Sequence, residues 1–205
     1  MIRLFAEERA ALEKKIRTFI AFELPADIIR LMEKLQSRLQ QHALELRWVR
    51  PRNSHLTLKF LGEILPDTVA SIGAAMQDAA QGRQPMELFV QGLGLFPGIR
   101  KPRVLWAGLG GMVDRLVQMQ SRLEEVLEPL GFDRELRPFR GHLTLGRIKG
   151  RIDGRRLLQA IQEAGQFAPA AFQARELVLL QSELRPQGAR YTALIRQALG
   201  DAVEG

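Results

Sequence analysis

Cysteine is absent from the 205-residue chain, and only three histidines are present. Without cysteine there are no disulfide bridges, thiol nucleophiles or thiolate metal sites, which fits a reducing cytoplasm, the location we expect. No apolar run approaches the roughly 18–20 residues that a membrane-spanning helix needs, so we expect no membrane partner. The N-terminus lacks the long apolar stretch of a secretory signal. With 46% hydrophobic and 26% charged residues, the composition excludes a disordered chain.

The net charge of +7 favours an anionic partner through long-range attraction. A basic surface also keeps a protein soluble, and charge alone does not separate these two interpretations. Lysine and arginine are spread along the chain, without the tail or dense cluster that is typical of a nucleic-acid-binding arm. The charge is therefore compatible with a phosphate-bearing substrate but does not establish one.

The tetrapeptide His-Leu-Thr-Leu occurs twice, beginning at His55 and at His142. An imidazole can give or take a proton near neutral pH. If both tetrapeptides form strands, alternate residues share a face, so each histidine lies beside the hydroxyl of Thr57 or Thr144. A hydroxyl can donate to a phosphate oxygen while the imidazole handles a proton. The repeated motif therefore predicts an acid and a base around one substrate.

Strict alternation along the first strand makes two further predictions. Lys59 should share the polar face with His55, and Phe60 should point into the core.

The spacing between the two tetrapeptides also relates other segments of the chain, which indicates an internal duplication. Short apolar strands are predicted at 17–22, 103–108 and 190–195. Helical spacing of apolar residues predicts helices at 27–44, 67–80, 112–130 and 154–164. Long strands are predicted at 86–96 and 172–184.

The resulting order is β-α-β-α-β, twice, with one more strand at the C-terminus. Long strands meet across short turns near 98–102 and 185–188, which favours antiparallel pairing over a parallel α/β sheet. We therefore predict an α+β fold with two pseudo-symmetric lobes, antiparallel sheets flanking a central cleft and helices outside. Approximate two-fold symmetry would bring the two histidines face to face across that cleft.

The predicted domain organisation follows from the same pattern. Residues 1–16 form an N-terminal helical extension, and residues 17–205 form a single bilobal domain. Repeat 1 runs from about 17 to 102, repeat 2 from about 103 to 189, and a closing strand covers 190–197. We expect a monomer, since a self-paired duplication removes one reason to dimerise.

The sequence gives little support for a metal site or for a glycine-rich loop that binds nucleotide phosphates. Zinc and iron sites usually need three or more protein ligands, whereas only two imidazoles recur here, without a His-x-His or His-Glu-x-x-His motif. No Gly-x-x-x-x-Gly-Lys loop is present. A phosphodiester displacement without a metal needs a base behind the nucleophile and an acid beyond the leaving group, roughly in line. Two facing histidines supply that arrangement, so we predict no cofactor and no metal.

The chain closely resembles the two-histidine phosphoesterase superfamily and, within it, the RNA 2′,3′-cyclic phosphodiesterases, historically called 2′-5′ RNA ligases. The resemblance extends over nearly the whole chain, from Arg17 to about Leu199. The segments that carry it are 17–22, 55–62, 96–97, 102–106, 138–140, 142–147 and 188–192. It implies a metal-independent hydrolase that converts the 2′,3′-cyclic phosphate of RNA ends or nucleotides to a 2′-phosphomonoester. It also implies weak, reversible 2′-5′ RNA ligation.

The resemblance also implies roles for individual residues. His55 would be the general acid that protonates the departing O3′, and His142 the general base that prepares water. Thr57, Thr144 and Arg147 would bind phosphate oxygens. Strict alternation puts Arg147 on the face opposite His142, so this arginine must reach the phosphate where the strand ends or bends.

Two further residues are candidates for the site. Arg190 occupies a place in the repeat equivalent to that of Arg103, and Phe22 is an aromatic ring that would stack a base. Two other functions remain open at this point. One is a phosphodiesterase for 2′-5′-linked oligonucleotides, and the other is a non-catalytic RNA-binding module that grips phosphates.

Overall fold

The computed structural model describes residues 14–186 and 188–200, which form two antiparallel sheets and four α-helices. The strands are β1 Ile16–Glu23, β2 Leu46–Trp48, β3 His55–Ile64, β4 Met86–Phe96, β5 Val104–Gly111, β6 His142–Ile148, β7 Ala170–Ala174, β8 Glu176–Arg185 and β9 Gly188–Ala198. The helices are α1 Ala26–Gln40, α2 Thr68–Ala80, α3 Val113–Leu127 and α4 Gly154–Ala164. Short 3-10 turns lie at Pro51–Asn53 and Glu128–Leu130. No helix in these ranges is both long and apolar enough to span a bilayer.

The predicted α+β class and antiparallel pairing are confirmed. The long strand expected over 172–184 is two strands, β7 and β8, which belong to different sheets and meet at Arg175. Both pieces have residue patterns that are typical of strands. The sequence pattern therefore does not show where the chain passes from one sheet to the other. In addition, the helix expected over 27–44 ends at Gln40, the helix expected over 112–130 ends at Leu127, and β2 was not predicted. The predicted N-terminal helix over 1–16 lies almost wholly outside the described residues, and its last residue, Ile16, begins β1.

The two halves of the chain exchange their last strands. We define the first half as β1 to β4 and the second half as β5 to β8. The four-stranded sheet has the order β3-β1-β8-β9, and the five-stranded sheet has the order β2-β6-β5-β4-β7. Strand β8 of the second half therefore pairs with β1, while β4 of the first half pairs with β5. The short connection after β4 makes β5 its antiparallel neighbour, and the turn after β8 does the same for β9. The pairing of β8 with β1 joins segments that are far apart in the chain.

Each long helix buries one apolar stripe under a sheet. Residues four apart, such as Ile28 and Met32 on α1 or Leu123 and Leu127 on α3, lie on one helix face and are fully buried. Together with the covered faces of both sheets they form one large core. A second, smaller cluster of Phe19, Ala21, Val178 and Leu180 lies on the other face of the four-stranded sheet. That second face is the one that carries the candidate site.

The helices also pair across the halves. Helix α2 packs against α3, and α1 packs against α4. Arg122 on α3 contacts Asp78 on α2 at 3.0 Å, and His42, just beyond α1, contacts Glu163 on α4 at 3.3 Å. His42 is partly buried in this contact between helices. Like the last strands, the helices of each half therefore pack against the other half.

Candidate active site

The two histidine strands lie in different sheets and contact each other. His55 is the first residue of β3, and His142 is the first residue of β6. The charge of His142 acts on the pKa of His55, and the charge of Arg147 acts on the pKa of both histidines. The fold thus brings the two imidazoles and one guanidinium close enough for their charges to act on one another.

Both imidazoles are held by the same backbone hydrogen bond. Nδ1 of His55 lies 2.8 Å from the carbonyl oxygen of Asn53, and Nδ1 of His142 lies 2.8 Å from the carbonyl oxygen of Arg140. A carbonyl oxygen only accepts, so Nδ1 is the protonated nitrogen in each ring. Each Nε2 is therefore the atom left to exchange a proton with a substrate.

The environment favours the neutral form of both rings. Burial lowers the pKa of His55 and of His142 below 6.5, and the positive charge of Arg147 lowers both further. The bonds to the backbone carbonyls act in the opposite direction. One influence differs between the rings: Glu23, directly opposite His55 in the sheet, raises the pKa of His55. The residue opposite His142 is Gly108, which has no charge.

The threonine of each motif lies on the same strand face as its histidine. Thr57 and Thr144 are both half-buried and are followed by a buried leucine. Within residues 14–186 and 188–200, neither hydroxyl hydrogen-bonds to another protein group. The two hydroxyls are therefore available to a ligand in the cleft.

Arg147 reaches the cleft because β6 contains a β-bulge. Leu105 of β5 pairs with Gly146, whereas the next residue, Trp106, pairs with Thr144, so Leu145 has no partner of its own. The extra residue reverses the alternation, which buries Gly146 and exposes Arg147 on the side of the histidine. Strict alternation, which put Arg147 on the opposite face, is wrong for this reason.

The same bulge occurs in β3 and overturns two expectations. Ile20 pairs with Lys59, and Ala21 pairs with Thr57, so the intervening leucine is unpartnered. Lys59, expected on the polar face, is only 7% exposed. Phe60, expected in the core, is 61% exposed.

Each bulge is held by a buried polar side chain from the opposite half. Lys59 forms an ion pair with Glu124 of α3 and donates to the carbonyl oxygen of Asp133. In the other strand, the Gln36 amide of α1 donates to the carbonyl oxygens of Leu145 at 2.9 Å and Val49 at 2.7 Å. A buried polar group must find such partners, because leaving it unpaired is costly. The bulges, and with them the register of both histidine strands, thus depend on contacts between the halves.

Aromatic rings surround each imidazole. The His55 ring lies 4.6 Å from Phe19 and 5.2 Å from Tyr191, measured between centroids. The His142 ring lies 4.9 Å from Phe96 and 6.4 Å from Trp106.

Glycine at position 94 of β4 makes room on the His142 side, because a Cβ there would overlap the Trp106 ring. Sequence reasoning missed Phe19, Tyr191 and Phe96 as neighbours of the histidines. Their positions depend on cross-strand pairing, for which the linear pattern carries no signal.

The two remaining candidates do not reach the cleft. Phe22 is 1% exposed and packs in the large core, so no face of its ring is open to a base. Arg190 is exposed and pairs in the sheet with Glu183. Because neighbouring residues of a strand point to opposite faces, it is Tyr191 and not Arg190 that approaches His55.

A cleft of about 560 Å³ opens beside His55. Its lining includes Tyr191 and the oppositely charged residues Arg30, Arg52 and Glu33. In the part of the chain that the structure describes, no group of three or more histidine, aspartate or glutamate side chains is placed to hold a metal ion. The chemical resources of the site are therefore two imidazoles, two hydroxyls and a guanidinium, which together can bind a phosphate and move protons on either side of it.

Comparison with known proteins points to one family. The family model described as LigT like Phosphoesterase matches residues 22–106 and again residues 111–191, one segment in each half. The RNA 2′,3′-cyclic phosphodiesterase of Methanothermobacter thermautotrophicus is 31% identical over 87% of this chain and 96% of its own length. The protein of the same name from Aeropyrum pernix is 32% identical, over 80% of this chain and 92% of its own length.

Two solved structures have the same fold over most of this chain. TT0787 of Thermus thermophilus superimposes with a TM-score of 0.71 at 26% identity, covering 90% of this chain and 98% of that protein. LigT of Escherichia coli in complex with 3′-AMP superimposes with a TM-score of 0.70 at 25% identity, covering 92% of this chain and all of that protein.

Proposed function

The chain belongs to the LigT-like phosphoesterase family, and from this we propose that His55 and His142 hydrolyse the 2′,3′-cyclic phosphate of RNA to a 2′-phosphomonoester. The protein is an enzyme of the RNA 2′,3′-cyclic phosphodiesterase class, since curated relatives with that name match most of its length. The observation that supports the mechanism is the pair of imidazoles, each held through Nδ1 by a backbone carbonyl and close enough for the charge of His142 to act on His55.

Hydrolysis needs one proton removed and one supplied. In our mechanism Nε2 of His142 takes a proton from water as the water oxygen attacks phosphorus. The bond between phosphorus and O3′ then breaks, and Nε2–H of His55 gives its proton to O3′. The products are a 2′-phosphomonoester and a free 3′-hydroxyl, and the two histidines end with their protonation states exchanged. Each proton transfer contributes about 10²–10⁴-fold in rate.

One difference between the environments of the two rings supports this assignment. A base must be neutral at rest, and burial together with Arg147 lowers the pKa of His142. An acid must be protonated at rest; burial and Arg147 lower the pKa of His55, and the Glu23 carboxylate opposite it acts against them. The negative charge of a bound phosphate would raise the pKa of both rings. Glu23 is therefore the feature that breaks the symmetry in favour of His55 as the acid.

Phosphate binding in this mechanism falls to Thr57, Thr144 and Arg147. The hydroxyls flank the phosphorus from the two strands, and the guanidinium neutralises charge on the non-bridging oxygens. Because this charge grows in the transition state, a fixed guanidinium in a cleft is worth more to the transition state than to the ground state.

The same site accounts for 2′-5′ ligation, which we include in the proposal. If a 5′-hydroxyl of a second RNA takes the place of water, the same proton transfers form a 2′-5′ phosphodiester and release O3′. The reverse reaction splits that linkage. Water is far more abundant than RNA ends, so hydrolysis should dominate in dilute solution.

We further propose that one chain is the active unit and that it works in the cytoplasm on RNA ends or nucleotides. The catalytic groups come from both halves of a single chain, with repeats over about 17–102 and 103–189 and a closing strand. Light scattering coupled to gel filtration tests the monomer, and cell fractionation tests the location.

Hydrolysis of adenosine 2′,3′-cyclic phosphate in excess chelator, followed by phosphorus NMR, tests the chemistry. We expect turnover with 2′-AMP as the product. Formation of 3′-AMP would contradict the assigned leaving group, and turnover that stops on chelation would contradict a metal-free mechanism. Cleavage of 2′-5′-linked oligonucleotides in preference to the cyclic phosphate would favour the alternative phosphodiesterase. Salt-dependent RNA binding without any turnover would favour the non-catalytic module.

A further inference from the structure

Asn53 connects the two edges of the four-stranded sheet. This residue ends the 3-10 turn Pro51–Asn53, two positions before His55 and the edge strand β3. Its side-chain amide Nδ2 donates to the carbonyl oxygen of Ala189 at 2.7 Å, although the two residues are 136 positions apart in the chain. Ala189 belongs to β9, the strand at the opposite edge of the same sheet. The segment that leads into β3 is thus tied to the far edge of the sheet.

The same residue holds the imidazole of His55. The backbone carbonyl oxygen of Asn53 accepts the hydrogen bond from Nδ1 of His55 at 2.8 Å. Asn53 therefore makes two hydrogen bonds in series, since β9 fixes its side chain and its main chain fixes the ring. The direction of that carbonyl sets the orientation and the tautomer of the imidazole. Supports of this kind hold a reacting group within the narrow tolerance that catalysis needs.

Strand β9 also contacts the His55 ring itself. Tyr191, two residues beyond Ala189, stands edge-on to the imidazole with 5.2 Å between the ring centroids. Gly188, just before Ala189, has a φ of 113°, and a Cβ on it would lie 3.3 Å from Nε of Arg50. The beginning of β9 therefore packs closely against the segment that leads to His55 and against His55.

The His142 side has no equivalent support. Nδ1 of His142 is held by the carbonyl oxygen of Arg140. Within residues 14–186 and 188–200, however, the Arg140 side chain makes no hydrogen bond or ion pair. The difference follows from the order of the chain, because β9 comes after both halves and has no counterpart in the duplication. Only one of the two histidine strands is tied to it.

We propose that Asn53 is a positioning residue for the general acid, through which the closing strand β9 fixes the His55 ring, an inference that rests on the proposed function. When Nε2 of His55 gives its proton to O3′, the neutral ring that remains must keep its proton on Nδ1. The Asn53 carbonyl accepts from that atom. It therefore directs Nε2 before the transfer and selects the tautomer after it. Loss of the Asn53 amide should affect the acid and leave the base, His142, in place.

Substrates that do and do not need an acid separate positioning of His55 from general support of the site. We would compare adenosine 2′,3′-cyclic phosphate with bis(p-nitrophenyl) phosphate, whose leaving group departs without a proton. Asn53→Ala and the bulkier Asn53→Leu should each lower kcat for the cyclic phosphate about 10- to 100-fold with little change in KM, since a misplacement of about 1 Å has an effect of this order. Both variants should hydrolyse bis(p-nitrophenyl) phosphate at the wild-type rate.

Two further variants serve as controls. Asn53→Gln, which retains an amide donor, should recover most of the rate on the cyclic phosphate. Gln173→Ala removes an exposed side-chain amide from β7 and should leave both rates unchanged.

NMR of the ring nitrogens reads the position of His55 without turnover. In the wild type, the neutral His55 ring should carry its proton on Nδ1. In Asn53→Ala the ¹⁵N shifts should move toward the other tautomer, while those of His142 stay the same. The bond to the Asn53 carbonyl raises the pKa of His55, so this pKa should fall in the variant, and the basic limb of the kcat/KM profile should move to lower pH. The other groups that act on or face the ring are kept, namely Glu23, Arg147, His142 and Tyr191.

Three results would overturn the proposal. Equal losses on both substrates would mean that Asn53 supports the site as a whole rather than the acid. Wild-type rates on both would mean that the bond to Ala189 has no part in catalysis. Unchanged ¹⁵N shifts of His55 in both Asn53→Ala and Asn53→Leu would mean that the carbonyl keeps its direction without the amide.

Because the NMR measurement needs no substrate, this inference and the proposed function can fail separately. If the wild type does not hydrolyse the cyclic phosphate but Asn53→Ala shifts the His55 tautomer, the tie between Asn53 and His55 stands and the proposed hydrolysis fails. If the wild type hydrolyses the cyclic phosphate and Asn53→Ala does so equally fast, the positioning role fails and the hydrolysis stands.

Discussion

The two histidine strands share a motif, a β-bulge and a hydrogen bond at Nδ1, but they differ in the two residues after the bulge. Strand β3 continues with Lys59 and Phe60, whereas β6 continues with Gly146 and Arg147. The shared features set the positions of the two imidazoles. The different residues place an exposed phenylalanine ring on β3 and a guanidinium at the equivalent position of β6. A repeated backbone arrangement thus presents two imidazoles, and the residues that follow each bulge differ between the two strands.

The supports of the two bulges also differ. The β3 bulge is held by the buried Lys59–Glu124 ion pair, and the β6 bulge by the neutral amide of Gln36. Both supports come from the first helix of the opposite half. Each histidine strand is therefore contacted, next to its bulge, by a buried polar side chain of the other half.

The largest expected effect comes from removing either histidine. His55→Ala and His142→Ala should each lower kcat for the cyclic phosphate by about 10²–10⁴-fold. A phosphodiester with p-nitrophenolate as the leaving group needs no acid, so His55→Ala should regain most of its rate on that substrate while His142→Ala should not. His42→Ala, in a contact between helices, should behave like wild type. Rescue of His142→Ala instead would reverse the two roles.

Breaking the support of one bulge should cost mainly stability. Lys59→Met leaves the Glu124 carboxylate buried without a partner and should lower the free energy of unfolding by about 3–5 kcal/mol. The double variant Lys59→Met with Glu124→Leu should recover part of that loss. Gln36→Leu leaves two carbonyl oxygens unpaired and should cost about 1–3 kcal/mol. Urea denaturation measures all three, and equal effects of the two single changes would contradict the difference between the supports.

Removing the charge on the His142 side should slow catalysis and shift its pH dependence. Arg147→Met should lower kcat by about 10²–10³-fold if the guanidinium stabilises the transition state. Because Arg147 lowers the pKa of both histidines, its loss raises both values. The base must be neutral, so the acidic limb of the kcat/KM profile should move to higher pH. Arg190→Met is the matched control, and an unchanged acidic limb in Arg147→Met would exclude this charge as an influence on the base.

The smallest expected effect concerns the carboxylate opposite His55. Glu23 raises the pKa of His55 and has no such effect on His142, so Glu23→Gln should lower the pKa of His55 alone. The acid must be protonated, so the basic limb of the kcat/KM profile should move to lower pH. Proton NMR titration of both imidazoles checks this, with His142 as the internal reference. A shift of both rings together would mean that Glu23 does not distinguish them.

Most elements of the fold could be predicted from local patterns. The helix at 154–164 and the strand at 86–96 match their predicted bounds because caps and apolar periodicity mark them. The exchange of β4 and β8 between sheets could not be predicted, because pairing partners are chosen by the packing of distant segments. The same reason explains why 172–184 gave one predicted strand and two real ones.

The residues of the candidate site also divide into those that the sequence predicts and those that only the structure shows. His55, His142, Thr57 and Thr144 stand out because the motif repeats in the linear chain. Tyr191 does not, because it reaches His55 only through the pairing of β8 with β9.

The amino-acid order is enough to derive the duplication, the antiparallel α+β class and the two imidazoles, because each leaves a periodic or repeated trace along the chain. It is not enough to derive the bulges that expose Arg147 and Phe60 and bury Lys59. A bulge forms where buried polar groups from the other half satisfy the displaced backbone and side chain, as Gln36 and Glu124 do here. Which side chains face the substrate is therefore a consequence of long-range contacts, since one extra residue in a strand reverses every face beyond it.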